Sequence, residues 1–272
     1  MNIKTAQAPL RSMTKPQGPR PASYVVDPGA ARRQVWYELA SGLTGLALAL
    51  FMWGHMVLVG SILTGARGFD WLAGSLEEYY IAQPTVAFVL VLFIVHAVMA
   101  ARKVPAQLKE RKMIAKLGKD LKAFGKGFPG NARGDERFQP HLESLLWIWQ
   151  IRTGMIILVL ASFHLLLLGF DVLGAGLYGL HDGVGIEAVR SFARVQGGLW
   201  MLYAVLLLCV EFHASIGMYR LAIKWGVGSR LGRPTLHRIE QVLLWFFLGL
   251  GVVVLAVLAG VLAPPLEFLL QG

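Results

Sequence analysis

Long apolar runs alternate with polar stretches rich in Lys and Arg along the whole chain. Five of these runs approach the roughly 20 residues that an α-helix needs to cross a hydrocarbon core. They lie at about Leu39–Leu63, Pro84–Ala101, Leu145–Gly169, Gly198–Gly217 and Val242–Ala263. Because backbone groups find no water partner in lipid, each run is expected to be helical. The pattern predicts an all-α integral membrane protein with five transmembrane helices.

The composition agrees with this assignment. Of 272 residues, 56% are hydrophobic and only 15% are charged, far less charge than a soluble domain carries. The single cysteine, Cys209, excludes an internal disulfide framework, a Cys-based zinc or iron–sulfur site and C-x-x-C-H haem attachment. Because Cys209 lies within an apolar run, we expect a small buried hydrophobic residue.

The basic residues orient the five spans. Most of the 26 Lys and Arg residues precede Leu39 or lie in the segments Arg102–Pro140 and Arg220–Arg238. The positive-inside rule therefore places the N-terminus and both of these segments in the cytoplasm. Spans one, three and five then run outward, and the net charge of +10 lies mainly on one face. Topology accounts for most of this charge. A nucleic-acid partner is not expected, because the chain is embedded in a membrane.

These features divide the chain into three parts. Residues 1–37 are predicted to be a polar basic cytoplasmic tail, residues 38–264 the transmembrane domain, and residues 265–272 a C-terminal tail. Within the domain, residues 102–140 are expected to form a long basic cytoplasmic loop, which is a candidate docking surface for peripheral subunits.

Four of the seven histidines lie within apolar spans, one in each of spans one to four: His55, His96, His164 and His213. A polar side chain in a membrane costs free energy and calls for a functional explanation. With a rise of 1.5 Å per residue, the first and third histidines fall roughly 24–25 Å along outgoing helices. The second and fourth fall roughly 18–22 Å along incoming helices. The depths therefore pair His55 with His164 outside and His96 with His213 inside.

Two histidine pairs at two depths are what two b haems require inside a bundle of the first four helices, because imidazole is a common axial ligand of haem iron. Histidines that only hydrogen-bond between helices are one alternative. A transition-metal site is another, but each level would supply only two ligands. His141, His181 and His237 lie in loops or at span edges, where solvation explains them.

The sequences around the four histidines are similar to a known family. They read GLTGLALALFMWGHM, FIVHAVMAARKVP, LWIWQIRTGMIILVLASFHL and VEFHASIGMYRLAIKWG. The chain resembles the dihaem cytochrome b subunit of menaquinol:fumarate reductases and related succinate:quinone oxidoreductases. The resemblance implies a distal haem on His55 and His164 and a proximal haem on His96 and His213. It also implies haem-propionate partners, at Ser41, Lys103, Trp147, Gly154, Arg194 and Lys224.

The resemblance also gives roles to three acids. Glu211 matches a glutamate assigned to a transmembrane proton path, although a protonated glutamate bonded to another helix is an alternative. Glu77, with Glu78 beside it, matches the acid of the quinol site and lies in the outer loop before span two. Quinol oxidation releases protons, so a base within hydrogen-bond reach would help. A solvated pair of loop carboxylates is the alternative there.

The implied function is transfer of electrons from menaquinol, through the outer and then the inner haem, to an iron–sulfur subunit and a flavoprotein subunit on the cytoplasmic side, where fumarate is reduced. The expected location is the bacterial inner (cytoplasmic) membrane, and a dimer of the heterotrimer is compatible with the resemblance. The direction in the cell and the quinone are left open. A cytochrome b anchor of a hydrogenase or formate dehydrogenase is one alternative, and a proton-coupled transporter is another.

Overall fold

The computed structural model describes residues 28–125, 142–177, 187–227 and 231–270. All regular secondary structure in these ranges is helical. The α-helices are α1 Pro28–Gly60, α2 Ala66–Glu78, α3 Ala82–Gly125, α4 Leu142–Leu177, α5 Glu187–Arg194, α6 Trp200–Lys224 and α7 Arg233–Leu258. Short 3₁₀ helices follow α1 at Ser61–Thr64 and end the described chain at Glu267–Leu270.

Five helical segments are long and apolar enough to cross a membrane. They are Ala31–Thr64, Pro84–Arg102, Leu145–Phe170, Glu187–Lys224 and Arg233–Leu258. Their outward faces carry large exposed apolar side chains, such as Val86, Val91 and Ile94 on α3. The prediction of an all-α protein with five membrane-spanning helices is confirmed.

The first helix begins before the apolar run. Helix α1 starts at Pro28, a residue whose fixed φ and missing N–H suit the first turn of a helix. Residues 28–37 of the predicted tail are therefore helical, while residues 1–27 lie outside the described part of the chain. At its other end α1 stops at Gly60 and gives way to the 3₁₀ turn.

The first half of the predicted cytoplasmic loop, residues 102–140, is helical. Helix α3 continues past Arg102, through Pro105, to Gly125. This extension is rich in Lys, Ala and Leu, which are strong helix formers. The sequence interpretation stopped the helix where apolar character ended, but a helix can continue beyond the membrane. Residues 126–140 lie outside the described ranges.

Two of the predicted outer loops contain helices. Helices α2 and α5 pack against each other, and Asp70 Oδ1 accepts a hydrogen bond of 2.8 Å from the Ala188 backbone N–H in the first turn of α5. A carboxylate at this position satisfies a free helix donor and favours the positive end of the helix dipole. With the end of α7, the two helices enclose a buried core of Ile62, Leu63, Phe69, Ala188, Val195, Val254, Val257 and Leu258.

Spans four and five also differ from the predicted boundaries. Span four begins at Glu187 and is kinked at Gly198, whose φ of +109° favours a residue without a Cβ. Helix α7 begins at Arg233 and ends at Leu258, so it starts and ends earlier in the chain than the apolar run at about Val242–Ala263. Gly260 has a φ of +74° and Pro264–Pro265 follow it, a combination that ends a helix.

The spanning helices form two close pairs. Helix α1 packs along α3, and α4 packs along α6, while α6 and α7 also share a long interface. Helix α1 contacts both α6 and α7 and so joins the two pairs. Span five therefore packs against the bundle. Cys209 is buried at 7% exposure, as the sequence predicted.

Candidate functional site

A cavity of about 1450 Å³ lies within the bundle. It is larger than the roughly 300–1,000 Å³ that a single drug-sized ligand occupies. Its walls are mainly apolar, and all four histidines from the spans line it: His55 on α1, His96 on α3, His164 on α4 and His213 on α6. One continuous space thus connects the four imidazoles that the sequence singled out.

The two inner histidines face each other across this cavity. The ring centroids of His96 and His213 are 6.3 Å apart, and the ring planes are perpendicular. A metal–imidazole nitrogen bond is about 2 Å long, so two rings on opposite sides of one metal ion have centroids about 6 Å apart. The spacing of this pair therefore fits a single ion held between the two rings.

Both inner rings are also bonded through Nδ1. His213 Nδ1 lies 2.9 Å from the backbone oxygen of Gln150 and 3.4 Å from Thr153 Oγ1. His96 Nδ1 lies 3.3 Å from Thr44 Oγ1. A histidine that binds a metal through one ring nitrogen usually has the other one held by such a partner. This pattern leaves Nε2 as the ligating atom in each ring.

Two glycines let the inner rings lie directly on the neighbouring helices. A Cβ added at Gly45 of α1 would stand 2.9 Å from Cε1 of His96, and one added at Gly154 of α4 would stand 2.8 Å from Cε1 of His213. In both cases the same ring edge, Cε1 and Nδ1, is nearest the glycine, and Nε2 is farther at 3.9 Å. The two rings are therefore seated in the same way on two different helices.

The outer pair has different neighbours. His164 Nδ1 lies 3.4 Å from the hydroxyl oxygen of Tyr203, and the two rings meet edge to face at 5.6 Å. His55 stacks on Phe51 of its own helix, with centroids 5.7 Å apart. Both His55 and Arg194 are close enough to His164 to act on it electrostatically. All three residues, His55, His164 and Arg194, line the cavity.

The contacts separate the histidines into two levels. On α1, Thr44 touches the inner ring of His96 and His55 follows it by eleven residues, a rise of about 16 Å. On α6, Tyr203 touches the outer ring of His164 and precedes His213 by ten residues, a rise of about 15 Å. Helices α1 and α6 thus give similar axial distances between the two histidine pairs. This agreement supports the pairing of the histidines by depth.

Five of the six predicted propionate partners line the cavity, namely Ser41, Trp147, Gly154, Arg194 and Lys224. Arg194 lies within electrostatic range of His164, whereas Lys224 ends α6 at the inner side and forms an ion pair with Glu38. Positive charge is therefore available near both levels. Lys103 lies on α3, but its side chain falls outside the described part of the structure. The roles of all six residues stay predictions.

Glu77 and Glu78 are not in a loop, contrary to the sequence interpretation, because they form the C-terminal end of α2. Both side chains are exposed. Glu77 lines the cavity together with Phe69 and Ala73 of the same helix, and Glu78 is not part of the cavity wall. Of the two candidates, Glu77 is therefore the one in contact with the space that the histidines share.

Glu211 is buried on the cavity wall, with only 1% of its surface exposed. Neither carboxylate oxygen has a hydrogen-bond partner among the described residues. Trp53 lies near Glu211, but its indole N–H makes no hydrogen bond among the described residues. The Trp53 ring stacks on Phe247 of α7 at 5.3 Å. A buried polar group without a partner calls for an explanation, and in a membrane span proton transfer is one.

The sequence interpretation missed the partners of the inner histidines, Thr44, Thr153 and Gln150, and the partner of the outer one, Tyr203. A signal for the threonines was present. Helices α1 and α4 both contain Thr-Gly followed by nine residues and a histidine, in TGLALALFMWGH and TGMIILVLASFH. The repeat marks the two helices that each carry an outer histidine and also support an inner one.

Comparison with known proteins assigns the chain to a family. The family described as Succinate dehydrogenase/Fumarate reductase transmembrane subunit matches residues 133–254, which include His164 and His213. The fumarate reductase cytochrome b subunit of one Helicobacter pylori strain is 31% identical over 222 residues, 79% of this chain and 76% of its own length. The chain belongs to the fumarate reductase cytochrome b subunit family. The resemblance drawn from the sequence is confirmed.

Two further members of the family match with similar coverage. The fumarate reductase cytochrome b subunit of a second Helicobacter pylori strain is 30% identical over 222 residues, covering 79% of this chain and 76% of that protein. The Wolinella succinogenes subunit is 34% identical over 199 residues, covering 70% and 66% respectively. The similarity to these cytochrome b subunits therefore extends over 70–79% of this chain.

Proposed function

We propose that this chain is the membrane-anchoring, quinol-oxidising dihaem cytochrome b subunit of a fumarate reductase. The observation that carries the proposal is the facing pair His96 and His213, in one cavity with His55 and His164. Membership of the fumarate reductase cytochrome b subunit family adds the reaction in which such a subunit takes part.

The cavity and its donor set fit two b haems. His96 and His213 would hold one through Nε2, since Nδ1 of each ring is bonded to the protein. His55 and His164 would hold the other, and Arg194 and Lys224 would bind the carboxylates near the two ends of the cavity. When bound, these haems supply reversible one-electron transfer between a quinol and an iron–sulfur subunit.

Two acidic residues, Glu77 and Glu211, would handle the protons of the reaction. Glu77, on the outer helix α2 and in the cavity wall, would accept the protons that menaquinol releases when it is oxidised. Glu211, buried within the span, would carry a proton across the membrane.

The proposed partners are an iron–sulfur subunit and a flavoprotein subunit on the cytoplasmic side, with the N-terminus on that side of a bacterial inner membrane. The extension of α3 beyond the membrane supports this orientation, because Lys109, Lys112 and Lys116 are exposed along it. Exposed lysines next to a span favour the cytoplasmic side. They would also bind an acidic surface of a partner subunit. A dimer of the heterotrimer stays an expectation from the resemblance.

Purification of the native complex from membranes tests the proposal. We expect a b-type α band in the reduced-minus-oxidised spectrum, two haems per chain by pyridine haemochrome assay, and co-purifying flavoprotein and iron–sulfur subunits. Absence of the α band would favour a proton-coupled transporter. Co-purification of a hydrogenase or formate dehydrogenase subunit would move the chain to that class of cytochrome b anchor.

A further inference from the structure

The Thr-Gly repeat places a threonine hydroxyl against each inner histidine, and each hydroxyl already uses its only hydrogen. Thr44 Oγ1 donates to the backbone oxygen of Ala40 at 2.7 Å. Thr153 Oγ1 donates to the backbone oxygen of Trp149 at 2.8 Å. A hydroxyl has one hydrogen and two acceptor lone pairs. Each threonine oxygen can therefore only accept a hydrogen bond from the neighbouring histidine.

This restriction determines which ring nitrogen carries the proton. His96 Nδ1 lies 3.3 Å from Thr44 Oγ1 and His213 Nδ1 lies 3.4 Å from Thr153 Oγ1, so both nitrogens must donate to form these bonds. The backbone oxygen of Gln150, 2.9 Å from His213 Nδ1, can also only accept. In a neutral imidazole with Nδ1 protonated, Nε2 carries the lone pair that binds a metal.

We propose that Thr44 and Thr153 are positioning residues that preset the inner histidines for iron. Each holds its imidazole in the Nδ1–H tautomer, which places the metal-binding lone pair on Nε2, and the adjacent Gly45 and Gly154 admit the ring to the helix surface. The inference rests on the proposed function, since it concerns the inner of two bis-histidine haems. It adds a role for two residues of the histidine-bearing helices themselves.

At the outer level, the partner of the histidine Nδ1 does not fix the tautomer. His164 Nδ1 meets the phenol of Tyr203 at 3.4 Å, and a phenol can either donate or accept. The Tyr203 hydroxyl therefore does not fix the tautomer of His164 by itself. Thr44 and Thr153 differ because their hydroxyl hydrogens are already donated to backbone oxygens. Loss of a threonine hydroxyl should therefore change the inner haem and leave the outer one as it was.

The experiment compares Thr44→Val, Thr153→Val and the double variant with Thr44→Ser and Thr153→Ser in the purified native complex. Valine keeps the shape and removes the hydroxyl, whereas serine restores it. Thr85→Val is the matched control, because Thr85 lines the same cavity from α3. Haem content, potentiometric titration and the low-spin EPR spectrum are measured, and the haem retained in His55→Ala identifies the inner one.

We expect the valine variants to raise the midpoint potential of the inner haem and move its EPR signal. The reason is that an imidazole that loses an Nδ1–H acceptor is a poorer electron donor to iron. His213 keeps the Gln150 backbone oxygen in Thr153→Val, so Thr44→Val should give the larger shift of the two single variants. The double variant should shift more than either single one, and the outer haem should not change. Loss of such partners typically weakens metal binding about 10- to 100-fold, so selective loss of the inner haem, reversed by serine, also supports the proposal.

Unchanged inner-haem potential and EPR signal at full haem content would overturn the inference, as would equal shifts in Thr85→Val. If a valine variant does not accumulate in membranes, alanine replaces valine and the same comparison with serine decides. A wild-type complex that contains no haem would instead overturn the proposed function, so the two failures are distinguishable.

Discussion

The imidazoles of His96 and His213 face each other at right angles with their centroids 6.3 Å apart. They come from α3 and α6, helices that lie in different close pairs of the bundle. Each ring rests on a glycine of the other helix in its own pair, Gly45 for His96 and Gly154 for His213. The bundle thus brings together two equivalent half-sites, each made by one Thr-Gly helix and one histidine helix.

Replacing one histidine should remove one haem and leave the other. His96→Ala should lose the inner haem and His55→Ala the outer one, because the two levels share no histidine. Pyridine haemochrome assay should fall from two haems to one per chain in each variant, with different α-band positions. His237→Ala is the control, since His237 pairs with Glu240 on α7 outside the cavity wall. Retention of both haems in either variant would refute the pairing.

The glycines under the inner rings should tolerate no side chain. In Gly45→Ala and Gly154→Ala the new methyl would stand 2.9 Å and 2.8 Å from ring carbons, so the imidazole must move off the helix. Overpacking of this kind costs about 1–3 kcal/mol, and we expect reduced occupancy of the inner haem and a lower thermal midpoint.

Gly54→Ala provides the matched control on α1, because nothing lies within 4 Å of its added Cβ. Haem content and thermal unfolding of the three purified variants would be compared directly. Normal inner-haem occupancy in both Gly45→Ala and Gly154→Ala would contradict the close seating of the rings.

Glu77→Gln should impair quinol oxidation specifically. Loss of a general base typically costs about 10²- to 10⁴-fold, so fumarate reduction driven by a menaquinol analogue should fall by at least about 10²-fold. Reduction of fumarate by an artificial donor to the peripheral subunits should stay normal. Glu78→Gln, one residue on but outside the cavity wall, should keep quinol activity. Equal loss in the two variants would point to a general effect of α2.

Glu211→Gln should slow turnover without loss of haem. The amide keeps the volume of the buried side chain but cannot carry the proton, so quinol-driven activity should fall by about 10²-fold, the scale of a lost proton-transfer group. Stopped-flow reduction of the haems and the haem content should be measured together. A variant with normal activity and altered thermal stability would assign Glu211 to packing instead.

Much of this protein follows from the order of its residues. Apolar runs long enough to cross lipid have few alternatives to helices, which explains why the five spans were predictable. The depths of the four histidines along those spans were also predictable, because the rise per residue of a helix is nearly constant. Boundaries were predicted less well, since α3 continues past Arg102 and α7 ends before Ala263. Hydropathy reports where lipid ends, whereas helix-forming residues, glycines and prolines determine where a helix ends.

Only the tertiary structure decided which groups meet across the cavity. Thr44 is 52 residues from His96 in the chain and Thr153 is 60 from His213, so their contacts depend on how α1 packs on α3 and α4 on α6. The same holds for Glu77, which reaches the cavity wall while Glu78 does not. Rotation of a helix about its axis changes which residues face inward without changing its hydropathy, and packing against neighbouring helices sets that rotation.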